Sequence, residues 1–306
     1  MTARISARIA LLMTLPPLLW AGNVVVGRIA VGQIAPQSLN ALRWTIALLL
    51  LLPLGWRSLA TPQRRAMVWQ RRAYLAALGL FGITAYNALQ YLALTTTTAV
   101  NATLIAASGP VWMMLLGAAF YGERPRRRQW AGCALSLLGV LVVIGRGDVQ
   151  LLASVALVPG DLLMLLAVAL WAVYSWLLAR PPVSMRPPLR PDWDWSAFLL
   201  LQALFGIGWS IAAAGLEQVV APQPIAWSPA VLWTLLYVAV GPSIIAFRCW
   251  GIGVAEAGPT VAAFFANLTP LFAALLSAAV LGEAPRPYHG LAFALVVAGI
   301  VVSSRR

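Results

Sequence analysis

The sequence predicts an all-α integral membrane protein: ten membrane-spanning helices, built as two inverted five-helix repeats, with both termini in the cytoplasm. Three observations predict it. The chain is too apolar for water, its basic residues crowd into alternate connections, and one stretch of it recurs 160 residues later. Of 306 residues 61% are hydrophobic and 9% charged, and the mean hydropathy is +0.85. A soluble domain carries about 25% charged residues, so this surface would aggregate in water, whereas a bilayer accepts it. The formal charge of +13 comes with 21 basic residues, all arginine. They sit in short gaps between apolar runs rather than on one soluble face, which argues against a nucleic-acid partner. Cys133 and Cys249 both lie inside apolar runs and make no disulfide framework. Fourteen Trp suit the interfacial belts and leave some to line a cavity.

A spanning helix needs about 20 predominantly apolar residues. Taken in order, that ruler gives spans at 9–30, 37–56, 73–94, 99–121, 128–146, 159–179, 195–216, 228–250, 257–281 and 287–304. Arg4 and Arg8 before the first run resemble a signal-peptide start, but the run matches a later segment and is expected to be retained. The longest connections are 57–72 and 180–194, the second holding Pro181, Pro182, Pro187, Pro188 and Pro191. With the N-terminus inside, 17 arginines fall on the cytoplasmic side, against Arg28, Arg146 and Arg286 outside, while Arg43 lies within a span. The positive-inside rule then places both termini in the cytoplasm of a bacterial inner-membrane protein.

The repeat is the sharpest feature. Gly109-Pro110 to Gly122-Glu123-Arg124-Pro125-Arg126 recurs as Thr269-Pro270 to Gly282-Glu283-Ala284-Pro285-Arg286, at an offset of 160. Gly139 and Gly299 keep that offset, and Leu19-Trp20-Ala21 matches Leu170-Trp171-Ala172 at 151. The halves are residues 1–150 and 151–306. Five spans per half is an odd number, so the second copy runs upside down relative to the first. Inverted repeats let two pseudo-symmetric halves open alternately to the two sides of a membrane.

The segment from Pro110 through Gly122-Glu123 to Gly132 and Gly139, with its second copy from Pro270 through Gly282-Glu283 to Gly299, resembles the EamA repeat of the drug/metabolite transporter superfamily. The Leu-Trp-Ala at the start of each half and Arg43 resemble the same pattern, and the resemblance covers essentially the whole chain. It implies a ten-helix bundle around a central cavity and, for bacterial members, export of amino acids or related metabolites. Among the branches, the aromatic-rich set below is most similar to the aromatic amino-acid exporters.

Polar groups inside a span are costly unless they face the bundle interior or water. In the first span Pro16, Trp20, Asn23 and Gly27 share one helical face. Its repeat mate offers Trp171, Tyr174 and Ser175. The third span carries Tyr86, Asn87, Gln90 and Tyr91, the fourth Asn101, Ser108 and Trp112, and the ninth Asn267. The ordinary alternative is that the amides and hydroxyls join helices, at about 0.6 kcal/mol each. Together they line a cavity suited to an apolar or aromatic body with a hydrogen-bonding head, and ring faces attract an ammonium group. Pro110, Pro242 and Pro270 are expected to bend their helices, and Gly251 with Ala255 to allow close helix approach.

All eight carboxylates fall in loops or near helix ends: Glu123, Asp148, Asp161, Asp192, Asp194, Glu217, Glu256 and Glu283. Without a carboxylate at mid-depth, facilitated diffusion is at least as well supported as proton antiport. The alternative is a proton-coupled exporter of amphipathic drugs, whose signature would be such a buried acid. Arg43 is expected to snorkel to the outer interface or pair with Asp161, and Glu123 and Glu283 to hold the helix that follows each. An intramembrane enzyme would need a nucleophile–base pair or a metal-ligand set, and the only histidine, His289, is expected at the outer end of the last span, next to its loop. No metal or other cofactor is expected. The expected partners are a small-molecule solute and the lipid bilayer, with the protein a monomer or weak dimer.

Overall fold

The computed structural model describes residues 6–30, 32–93, 96–97, 102, 105–148, 150, 158–281 and 287–304. They form fourteen α-helices, and no strand occurs among the described residues. The first half contributes α1 (Ala7–Ala30), α2 (Pro36–Gly55), α3 (Pro62–Gln70), α4 (Arg72–Leu78), α5 (Tyr86–Ala93), α6 (Gly109–Tyr121) and α7 (Arg127–Ile144). The second contributes α8 (Pro159–Ala179), α9 (Trp195–Val220), α10 (Pro229–Val238), α11 (Ala246–Ala257), α12 (Pro259–Ala266), α13 (Thr269–Leu281) and α14 (Pro287–Ser304). Six helical stretches among the described residues are long and apolar enough to cross a bilayer: Pro36–Leu59, Pro159–Ala179, Trp195–Val220, Pro229–Ala257, Pro259–Leu276 and Pro287–Ser304.

Helix starts follow the local chemistry. Proline occupies the first turn of α2, α3, α8, α10 and α12, where its missing N–H costs nothing. Asp194 and Ser228 cap α9 and α10 by accepting from Ala197 and Val231 N–H. The Ala197 amide and then the Ser196 hydroxyl hold the Asp194 carboxyl below its ordinary range. The exposed amides of α2 take their cap from another helix: Gln37 N–H, at 2.9 and 3.0 Å, and Ser38 N–H, at 3.0 Å, donate to the Glu217 carboxylate of α9. Glu123, expected to hold α7, pairs with Arg180 just beyond α8, and both side chains are half exposed. Glu283 lies outside the described residues.

Two helices break in the same way. Between α4 and α5, and again between α10 and α11, the chain winds into π-helical segments, Gly79–Ala85 and Ala239–Ile245. These are 160 residues apart, the offset that relates Pro110 to Pro270. The second contains Pro242, which has no N–H for the Val238 carbonyl one α-turn earlier. The Ser243 hydroxyl takes that carbonyl at 2.7 Å, and Arg43 of α2 donates Nε to the Ser243 oxygen. Arg43 is therefore not at the outer interface; it is 3% exposed and packs its guanidinium 5.6 Å from the Trp44 ring. Asp161 accepts from the Thr97 hydroxyl and, at 2.8 Å, from Val158 N–H.

Pro110 and Pro270 do not bend helices from within. They stand in the first turns of α6 and α13, directly after the turns at Ala107-Ser108 and Asn267-Leu268. Gly122 closes α6 in the left-handed region at φ +67°, where a side chain would be strained.

The two most extensive contacts cross between the halves, α7 with α14 and α2 with α9. On α7 and α14 two glycines let the backbones touch: a Cβ on Gly132 would stand 2.6 Å from the Gly299 carbonyl, and the converse holds at 2.6 Å. Asn267 joins the same seam, donating to the Ser136 hydroxyl at 2.8 Å. Small residues that admit close backbone approach are how helices associate in lipid. Gly299→Leu is accordingly expected to abolish a monodisperse peak in size-exclusion chromatography after extraction. Gly215→Leu, where a Cβ meets nothing within 4 Å, is expected to preserve it.

Candidate functional site

The centre of the bundle is a cluster of aromatic rings gathered on Trp171 of α8. Trp171 has five ring neighbours: Tyr174 at 5.0 Å, Tyr86 and Trp250 at 5.4 Å, Trp20 and Phe247 at 5.5 Å. These come from α1, α5, α8 and α11, so both halves supply the cluster. Several pairs meet edge to face or tilted, the arrangements ring quadrupoles favour, each adding about 0.5–1.5 kcal/mol beyond area burial. Phe247 carries the cluster to α2 through Trp44, 5.0 Å away.

Three polar tips in the cluster tie it to neighbouring groups. Trp20 Nε1–H donates to the Pro242 carbonyl of the second π segment at 3.2 Å. Trp250 Nε1–H donates to the Ser175 hydroxyl at 3.2 Å, and Ser175 donates to the Trp171 carbonyl at 2.9 Å. Tyr174 donates to Gln202 Oε1 of α9 at 3.1 Å. Its ring lies where a Cβ on Gly82 would stand, 2.5 Å away, so glycine in the first π segment makes room for it.

Two cavities open among the helix ends on the arginine-rich face. A cavity of about 710 Å³ is rimmed by Arg124, Arg126, Arg128 and Arg180 and ends on Ile9, Met113, Met114 and Trp176. Trp176 closes its inner end by donating to the Met113 carbonyl at 2.9 Å and stacking on Tyr121 at 4.7 Å. The second cavity, about 380 Å³, runs between α9 and α11 and reaches Tyr174, Gln202 and Phe247, the edge of the aromatic cluster. Both volumes fall within the range of about 300–1,000 Å³ usual for small-molecule sites. Among the described residues no group of acidic, histidine or cysteine side chains is disposed to hold a metal ion.

Of the residues singled out in the sequence, the structure brings Trp20, Tyr86, Trp171 and Tyr174 together. Asn23 is half-buried on α1 beyond Trp20. Asn87 donates to the Ile83 carbonyl in the first π segment at 3.3 Å, and Gln90 donates to the Tyr86 hydroxyl at 3.4 Å. Ser108 donates to the Ile105 carbonyl at 2.6 Å, and Trp112 packs with Tyr86 against Met164 and Val168. Asn267 is 2% exposed and engaged by Ser136. Asn101 and the Tyr91 side chain lie outside the described residues. Sequence reasoning missed Phe247, Trp250 and Gln202. The first two lie on a span, 228–250, that has no amide beside its aromatic residues to mark an inward face. Gln202 carried a usable signal, being an amide on a helix otherwise apolar around it.

The sequence profile of the EamA-like transporter family matches residues 7–145 and 158–305. An uncharacterized transporter of Archaeoglobus fulgidus is 27% identical over 298 residues, 97% of each chain. A probable terminal-alkyne amino-acid exporter of Streptantibioticus cattleyicolor is 28% identical, over 94% of this chain and 90% of the relative. The aromatic amino acid exporter YddG of Ancylobacter novellus is 25% identical, over 94% and 93%. One crystal structure superposes with a TM-score of 0.73 at 23% identity, covering 98% of this chain and 96% of that one; it shares the fold.

The Tyr174–Gln202 bond ties α8 to α9 beneath the cluster. Gln202→Leu leaves a buried phenol unpaired, and a loss of about 1–3 kcal/mol is expected. Adding Tyr174→Phe removes the stranded group, so the double variant should melt above Gln202→Leu alone in a thermal-shift assay.

Proposed function

The chain belongs to the EamA-like transporter family, and from that premise we propose that it exports amino acids with aromatic or other apolar side chains. On this reading ten spans form two inverted repeats, residues 1–150 and 151–306, with both termini in the cytoplasm of a bacterial inner membrane. The solute moves by alternating access. The observation that carries the reading is the ring cluster on Trp171, built from both halves and seated against a π segment. An apolar side chain exchanges contacts with such rings at little cost, while ring faces and nearby carbonyls favour an ammonium group. The names of two relatives, both amino-acid exporters, support the solute class. Transport is facilitative on this reading: the charge packed nearest the cluster is Arg43, beside Trp44, and the buried acid, Asp161, is held at the start of α8 by Thr97 and Val158.

The π segments supply the moving parts. Each is a π-helical stretch within a helix, a feature frequent at functional sites, and each touches the cluster, through Gly82 against Tyr174 and through Pro242 against Trp20. Rocking one half about these points would swap the packed and open ends.

Purified protein in liposomes is expected to carry labelled phenylalanine and leucine down their gradients, with the rate unchanged by an imposed pH gradient. Trp171→Ala and Trp20→Ala proteins that insert normally are expected to lose at least about tenfold in flux. Wild-type rates in both variants would remove the cluster from the solute's path.

A further inference from the structure

Gly251 and Ala255 of α11 form a small-residue pair that would usually seat a neighbouring helix. Here they seat none. A Cβ on Gly251 meets nothing within 4 Å, and both residues line the 380 Å³ cavity between α9 and α11. Their smallness keeps a groove open on the arginine-rich face.

The groove has an apolar interior and a charged mouth. Inside stand Phe198 and Leu199 of α9 and Phe247 and Ile252 of α11, with the Tyr174–Gln202 pair at the inner end. At the mouth are Arg190, Arg248 and Glu256, all exposed and all lining the cavity. None of their side chains has a hydrogen-bond or ion-pair partner among the described residues. Arg248 lies over the Trp195 ring at 5.3 Å, which places a guanidinium on the rim. Asp194, the acid nearest Arg248 on α9, is already engaged by Ala197 N–H at 2.8 Å and the Ser196 hydroxyl at 2.7 Å.

We propose that this groove is the site where the solute loads from the arginine-rich face, and that it takes a zwitterionic α-amino acid side chain first. The apolar side chain enters between Phe198 and Phe247, the carboxylate meets Arg248 and Arg190, and the ammonium group meets Glu256. A mouth with both signs of charge suits a zwitterion, whereas a purely anionic lipid headgroup would face repulsion from Glu256. The groove's inner end is lined by Tyr174 and Phe247, two rings of the central cluster. The assignment rests on the exporter reading above and adds residues that reading does not use.

The test measures equilibrium binding of labelled phenylalanine to the full chain in detergent and flux from phosphatidylcholine liposomes. Gly251→Phe places a ring in the groove from a position whose Cβ meets nothing within 4 Å, and is expected to weaken binding by at least about tenfold at an unchanged melting temperature. Arg248→Gln should weaken it about fivefold, with Arg248→Lys recovering part of the loss, and Gly251→Ala should bind nearly as the wild type does. Wild-type binding and flux in Gly251→Phe and Arg248→Gln would overturn the loading site while leaving the exporter reading intact. Displacement of bound phenylalanine by added phosphatidylglycerol would overturn it too, as a lipid site. A wild-type protein that neither binds nor carries any amino acid would overturn the exporter reading itself.

Discussion

A backbone carbonyl freed inside an apolar bundle must find a donor, because lipid offers none and an unsatisfied group costs several kcal/mol. Much of the centre of this protein is arranged around that requirement at one place, the π segment Ala239–Ile245. Pro242 withholds its N–H from Val238; Ser243 replaces it. Arg43 reaches from α2 to the Ser243 oxygen, and Trp20 reaches from α1 to the Pro242 carbonyl. Two helices of the first half are thus tied to a break in the second. A buried arginine, which would otherwise be a heavy cost in a membrane, becomes part of the scaffold.

The same break sets the geometry of the ring cluster. Past the π segment, Phe247 and Trp250 turn inward and meet Trp171, which would otherwise face only Trp20, Tyr86 and Tyr174. In the first half the matching segment has no proline and no second arginine. Its glycine at position 82 admits the Tyr174 ring, and Thr84 donates to the Gly206 carbonyl at 3.0 Å and shares a hydrogen bond with Ser210 at 3.0 Å. Both segments give a hydroxyl to a neighbour, but only the second offers a proline carbonyl to Trp20 and only the first gives a ring the space of a missing Cβ.

Much of this architecture was legible in the chain. Apolar length located 159–179 and 287–304 to the residue, because proline sits at one end of each and polar residues follow at the other. The aromatic residues on α1, α5 and α8 were visible because each span sets them beside an amide or hydroxyl at helical spacing. Phe247 and Trp250 were not, because residues 228–250 hold no amide to mark an inward face. Gly251 and Ala255 have the spacing of a packing seam, yet they border a groove. Arg43 misled for a related reason. Its charge suggested an interface, yet its partner is a hydroxyl made available only by the helix break. The expected bends at Pro110 and Pro270 failed on a simpler point: each follows a turn, and proline there begins a helix.

On the exporter reading a solute with an apolar side chain passes against the rings gathered on Trp171. Photolabelling with a diazirine analogue of phenylalanine, followed by peptide mapping of the attachment sites by mass spectrometry, tests it most directly. Labels concentrated on α1, α8 and α11 around Trp20, Trp171 and Phe247, and suppressed by excess phenylalanine, are the predicted result. Labels confined to the loops, or unaffected by competition, would contradict it.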